Sequence, residues 1–382
     1  MVGTSEEYAY YHIMSIGNKK KVKNSAKKSH GRLIRSLTHP RHVVVYCKIH
    51  HFHPSHLYRM KQNPEEIWQQ LQQAVKETRN EIARVIVGQE NVVEQMLAAL
   101  LCRGHCLLVG VPGLAKTLLV STLGQVLGLT FRRIQFTPDL MPADIVGSEI
   151  LQGSAEGKRS FEFVPGPVFT NLLLADEINR TPPKTQAALL EAMQEKQVTV
   201  AGTSRPLSEP FIVYATQNPM EHEGTYPLPE AQLDRFFFQI NIAYPTPAEE
   251  EEILRRTSGL TAPEAKAVLT AEKVLEMQRA VTQIPVPDEI YSRIVRIVQS
   301  TRPDNPDAPD MVRKYVACGA GPRAGQCLVA AARAMALLRG RVSVSEQELK
   351  LVLHPVLRHR LIPNYSATGE GISMEKVIDS LM

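Results

Sequence analysis

The chain has 382 residues, 43% apolar and 22% charged, the usage of a soluble globular protein with room for more than one packed domain, and it holds no apolar run approaching the roughly 18 residues of a membrane span. Its net charge of +5 is uneven: residues 1–59 carry eleven Lys/Arg against two Glu, which leaves residues 60–382 at −4 and removes the basic pI as an argument for nucleic-acid binding by the folded body. Five cysteines without framework spacing (Cys47, Cys102, Cys106, Cys318, Cys327) point to a reducing compartment, and a cytoplasmic location is expected.

Residues 1–59 show no sustained period and hold a lysine cluster from Lys19 to Lys28 and eight of the twelve histidines. They are expected to be a basic, His-rich extension, either disordered or an upstream addition to a gene whose natural start is Met60. A transit sequence is poorly served by Glu6 and Glu7, and no apolar segment of secretory length is present. Cys47, His50, His51, His53 and His56 match no specific finger spacing, so a metal site there stands only as an open alternative to a plain tail.

Order begins at Asn63, which can cap a helix, with Pro64 in the first helical position, Glu66 three after the cap, and Ile67, Leu71, Val75 and Ile82 on one face. The segment Ile86-Val87-Gly88-Gln89 then leads through a second helix, Val92 to Leu101, into a strand at Cys106–Val109. Cys102, His105 and Cys106 at its entry are expected to be buried structural residues. A helix from Lys116 to about Leu127 is followed by strands near Phe131–Phe136, Leu172–Ala175 and Phe211–Thr216. Continuous apolar runs alternating with helices predict an α/β core with a central parallel sheet covered on both faces, over residues 60–243. Past Pro245-Thr246-Pro247 the pattern is helical, at about 248–257, 271–283, 288–301, 324–338 and 345–353, and predicts a small all-helical domain over residues 244–382.

Between the first strand and the helix at Lys116 lies Gly110-Val111-Pro112-Gly113-Leu114-Ala115-Lys116-Thr117. This is a P-loop: backbone N–H groups wrap phosphates at a helix N-terminus, Lys116 reaches the β- and γ-phosphates, and Thr117 offers its hydroxyl to Mg²⁺. Ala115 stands where glycine is usual, and a left-handed conformation there would cost about 1–2 kcal/mol. The strand Leu172–Ala175 ends in Asp176-Glu177, which in a parallel sheet arrives at the same carboxyl edge as the loop. Asp176 would then hold Mg²⁺, and Glu177 would orient and deprotonate the attacking water. The third strand delivers Gln217-Asn218, an amide able to hold that water.

From Met60 onward the chain resembles the MoxR family of AAA+ ATPases, in GVPGLAKT (110–117), LLLADEINR (172–180), ATQNPMEHEGTYPLPEAQLDRF (215–236), GAGPRA (319–324) and VLRHRL (356–361). The alanine before Lys116 agrees with this family's loop. The resemblance implies a AAA+ P-loop core followed by a helical lid, ATP and Mg²⁺ as cofactors, and roles that spacing does not give. Asn218 corresponds to sensor 1. Arg235 corresponds to an arginine finger acting in a neighbouring subunit, with Arg180 a weaker candidate for a contact across that boundary. Arg323 corresponds to sensor 2, and Gly88 is expected to lie against the adenine. A finger in trans implies a homo-oligomer, a hexameric ring. Glu149 to Val164, with a turn at Gly153–Gly157, resembles the hairpin this clade inserts, facing a client or the pore; a plain surface hairpin is the alternative.

The leading functional reading is a chaperone-like ATPase that remodels or assembles protein complexes, including metal-cofactor insertion. Its partners would be a protein client and a separate protein with a von Willebrand factor A domain. A DNA-acting AAA+ motor or transcription regulator is the alternative from another class, and the acidic balance of residues 60–382 speaks against it. A nucleotide-gated binding protein without turnover is the third, opposed by the intact Glu177.

Overall fold

The computed structural model describes residues 11–13, 45–47, 64–153, 159–220, 224–259 and 263–382. Residues 11–13 and 45–47 pair antiparallel in a unit separate from Pro64–Met382. The foreseen metal ligands at 50–56, the cap at Asn63 and the hairpin tip at 154–158 lie outside the described residues.

Five strands form the central sheet: β1 (Cys106–Val109), β2 (Phe131–Gln135), β3 (Leu172–Asp176), β4 (Ile212–Gln217) and β5 (Phe238–Asn241). Their order is β5-β1-β4-β3-β2 and every neighbouring pair is parallel. The apolar runs of β1, β3 and β4 are central and covered on both sides. Leu172 and Leu174 join one apolar cluster while Leu173 and Ala175 join another, because alternate residues of a strand face opposite ways. Strand β5 was not foreseen: its Gln239 and Asn241 break the apolar pattern, since it is an edge strand.

Helices α1 (Pro64–Val85), α2 (Glu90–Leu101) and α3 (Lys116–Val126) contribute to the first cluster, and α4 (Pro183–Glu195) contributes Leu189, Leu190 and Met193 to the second. Two antiparallel hairpins stand before β3 and β4. One pairs Gly147–Gly153 with Arg159–Pro165, the hairpin foreseen in the sequence, and the other pairs Gln197–Val200 with Thr203–Pro206. The guanidinium of Arg205 joins them, lying 3.9 Å from the Phe163 ring centroid and 3.4 Å from Glu149.

The chain after β5 is helical: α5 (Pro247–Thr257), α6 (Ala271–Gln283), α7 (Asp288–Ser300), α8 (Asp310–Tyr315), α9 (Pro322–Leu338), α10 (Glu346–Leu357), α11 (Tyr365–Glu370) and α12 (Met374–Asp379). Helix α5 opens with a capping box in which Thr246 and Glu249 satisfy each other's backbone N–H groups. Two short strands, Val316–Cys318 and Ile362–Pro363, interrupt the helices. The small residues Ala331, Ala332 and Ala334 let α9 pack close to α2 and α10, so the apolar cluster runs without a break from the sheet into the lid. Among the described residues no helix is long and apolar enough to cross a membrane.

Candidate active site

The carboxyl edge of the sheet gathers the predicted residues. In register, Val109 lies opposite Gln217, Ala175 opposite Ala215, and Gln135 opposite Asp176. The loop leaving β1, the amide leaving β4 and the acids ending β3 therefore emerge side by side, with Asn218 between the loop and the acids. The Gly110 N–H donates to the Gln217 carbonyl at 3.3 Å and ties loop to neighbour.

Gly110, Val111, Pro112, Gly113, Leu114 and Ala115 form the foreseen loop, and Lys116 and Thr117 open α3. Gly113 has φ +86°, and Ala115 is left-handed at φ 53°, ψ 27°, the strained conformation the sequence anticipated. Successive N–H groups in such a turn form a concave nest for anions. The Lys116 ammonium donates to the carbonyls of Gly110 at 2.6 Å and Val111 at 3.0 Å, so it lies along the loop.

The acid pair is held by residues the motifs did not name. Thr216, fully buried, donates its hydroxyl proton to Asp176 Oδ1 at 2.5 Å and accepts the Glu177 N–H at 2.8 Å. Asp176 Oδ2 accepts from Arg133 Nε at 3.1 Å and Nη2 at 2.6 Å. Glu177 is left-handed at φ 58°, and its Oε2 accepts from Gln135 at 2.6 Å and lies 3.0 Å from Arg180. Arg180, the weaker candidate for a contact across a subunit boundary, pairs here with Glu177 three residues before it. Arg133 and Gln135 stand two apart in Phe131-Arg132-Arg133-Ile134-Gln135 and so share one face at the end of an edge strand. Nothing local marked Thr216. Asn218 is 5% exposed and accepts the Met220 N–H at 3.1 Å.

Gly88 has φ +65°, the left-handed region that favours glycine, and the flexible carboxylate of Glu249 lies where its Cβ would stand. It is Ile86, Val87 and Gln89 that line a cavity of about 220 Å³ together with Gly113, Leu114 and Pro245. The cavity is largely apolar and borders the phosphate loop, and so suits a flat aromatic base.

Arg323 starts α9 and pairs with Asp234 at 3.2 Å. The other oxygen of Asp234 is held by Arg360 at 2.8 Å, and Arg360 also donates to the carbonyls of Phe236 at 2.7 Å and Val356 at 2.5 Å. Arg360 is thus a buried rivet between lid and core within the VLRHRL segment, for which the sequence suggested no role. Arg235, next to Asp234, is exposed, and its side chain enters no hydrogen bond or ion pair among the described residues.

The side chains fit a Mg-nucleotide. The apolar cavity suits a base, the left-handed turns at Gly113 and Ala115 suit phosphate, and the Thr117 hydroxyl and Asp176 carboxylate are hard oxygen donors of the kind Mg²⁺ takes. At the strand entry, the Cys106 thiol is buried and raised above its usual range by desolvation, as foreseen for a structural residue. His105 accepts the Val213 N–H on Nδ1 at 2.9 Å, so its Nε2 carries the proton, 3.1 Å from the Met193 carbonyl.

Residues 105–238 match the ATPase family associated with various cellular activities (AAA), and residues 309–381 match the AAA lid domain. The chain is 50% identical to the chaperone MoxR1 of Mycobacterium tuberculosis over 79% of each chain. It is 44% identical to the YeaC protein of Bacillus subtilis over 79% of this chain and 91% of that one. The crystal structure of a candidate ATPase from Cytophaga hutchinsonii superposes with a TM-score of 0.78 at 42% identity, over 83% of this chain and 96% of that one.

Proposed function

We propose, from the premise that this chain belongs to the MoxR family of AAA ATPases, that it binds and hydrolyses ATP at sites between subunits of a ring and uses the cycle to remodel or assemble protein complexes. The observation that carries this reading is the convergence at one sheet edge of the loop 110–117, Asn218, and the buried Thr216–Asp176–Glu177 arrangement.

The loop N–H groups and Lys116 bind and orient the phosphates. Mg²⁺, held by Thr117 and Asp176, supplies charge neutralisation to the phosphate oxygens when bound. The Glu177 carboxylate takes the proton of the attacking water, and Asn218 aims that water. Thr216 fixes both acids by bonding one carboxylate and the other residue's N–H. In this reading Arg235 acts outside its own subunit; its exposure and the lack of a pair among the described residues support that role. A ring with Arg235 in the neighbour's site follows, a hexamer in this reading. Arg323 reports on the same subunit's nucleotide through the lid. Separate proteins supply the client and any von Willebrand factor A domain, and metal-cofactor insertion is one assembly task within this class. The division at 243/244 into core and lid, and a cytoplasmic location, belong to the same reading.

The test is a pair of variants. Glu177→Gln is expected to keep ATP binding and lose hydrolysis, and Lys116→Ala to weaken binding itself. Unchanged turnover in Glu177→Gln would remove Glu177 as the base. The Glu177→Gln protein also serves as bait, since it holds the ATP form and its client.

A further inference from the structure

We infer that Arg133 is a positioning residue for the metal end of the site: a built-in cation that competes with Mg²⁺ for Asp176 and sets how tightly the metal is held. The inference rests on the reading of Asp176 as a Mg²⁺ ligand.

Asp176 is 9% exposed, and both its oxygens are engaged. Oδ1 takes the Thr216 hydroxyl at 2.5 Å, while Oδ2 takes two N–H donors of the Arg133 guanidinium at 3.1 and 2.6 Å. Hydrogen bonds between ionised partners are roughly twice as strong as neutral ones. A divalent cation on the same carboxylate meets a full positive charge at hydrogen-bond distance from its ligand, and their repulsion weakens with screening but does not vanish at that range. The carboxylate offers about four lone-pair sites and three are taken, so a cation that binds through both oxygens makes one partner yield.

Burial decides which. Thr216 is fully buried and its hydroxyl also accepts the Glu177 N–H, so moving it would strand a backbone donor. The Arg133 side chain is 47% exposed on the edge strand β2, and water can receive its guanidinium. Arg133 therefore yields, and the work of displacing it is subtracted from metal affinity. Its Nη2 also donates to Gln135 Oε1 at 2.7 Å, which keeps the guanidinium aimed at Asp176.

The test follows a fluorescent, non-hydrolysable ATP analogue by anisotropy as Mg²⁺ is titrated onto the full chain, so that no turnover is needed. Arg133→Gln removes the charge and keeps a polar partner for Gln135; it is expected to lower the Mg²⁺ midpoint roughly three- to tenfold. Arg133→Lys keeps the charge but loses the two-pronged contact, so its midpoint should fall between those of wild type and Arg133→Gln. Affinity for the analogue in EDTA should not change in either variant. An unmoved or raised midpoint in Arg133→Gln overturns the inference, and so does a loss of affinity in EDTA, which would place Arg133 on the phosphates instead. Asp176→Asn separates the two levels. A wild-type midpoint there removes the reading of Asp176 as a ligand and the inference with it. A shifted midpoint in Asp176→Asn beside an unmoved one in Arg133→Gln overturns the inference alone.

Discussion

Replacing Thr216 by Val isolates the residue that locks the two acids. Valine fills the same volume, so no cavity forms, and only the hydroxyl is lost. That hydroxyl makes two bonds in a fully buried position, to Asp176 Oδ1 at 2.5 Å and from the Glu177 N–H at 2.8 Å. A hydrogen bond to a charged group is worth about 1.5–3 kcal/mol, and a stranded buried N–H costs about 1–3 kcal/mol. Because Arg133 continues to bond Asp176, the lower halves of these ranges apply, giving a loss of about 2.5–4 kcal/mol. Glu177 is also held in a left-handed conformation that costs a non-glycine residue about 1–2 kcal/mol. Without Thr216 it relaxes, and its carboxylate leaves the position from which it takes a proton. Urea unfolding should therefore show the loss, ATP turnover should fall with it, and Thr216→Ser should restore both. A Thr216→Val protein within about 0.5 kcal/mol of wild type, with normal turnover, would refute the reasoning.

Ala115→Gly relieves the left-handed alanine at φ 53° and is expected to raise stability by up to about 1 kcal/mol in unfolding without nucleotide. Burial pushes the His105 pKa down to about 4, below its ordinary 6.5. The unfolded chain thus takes up a proton that the folded one refuses, and this part of stability is complete above pH 6.5 and lost as pH falls towards 4. About 2 kcal/mol should be gone by pH 5, and His105→Gln, which takes no proton, should remove that slope from acid unfolding curves. His354 has the opposite sign. Its ring nitrogens face Glu375 and Asp379, and the hydrogen bond with Glu375 raises its pKa. The clamp of α12 on α10 is complete below pH 6.5 and loosens as pH rises through the raised value, which amide exchange of residues 374–379 should register. Arg235→Ala should leave folding unchanged, since the exposed side chain has no hydrogen bond or ion pair among the described residues, and reduce turnover by about 10³-fold or more.

The sequence determined what is local. The apolar runs at 106–109, 172–175 and 211–216, the helix opened by Pro64, the helical pattern from about 248 and the loop 110–117 are written in spacing and capping, and each element lies within a residue or two of those bounds. The chemical identity of the acids and of Asn218 is local too, as is the strain at Ala115. Only the tertiary structure decided which of these meet. Strand order β5-β1-β4-β3-β2 puts β4 between the loop and the acids. No residue in β4 encodes that neighbourhood, because parallel strands are joined by crossovers and sorted by which faces bury best together. Thr216 follows an apolar strand like any polar strand end, and becomes the lock on Asp176 and Glu177 only when β3 lies beside it. Arg133 and Gln135 are an exposed polar alternation until the same sheet sets them against Asp176 and Glu177. Glu249 lies over Gly88, 161 positions earlier, and Arg360 answers to Asp234, 126 positions earlier. Side-chain chemistry is fixed residue by residue, but a site is a set of distances across the chain, and those are set by the packing of the whole.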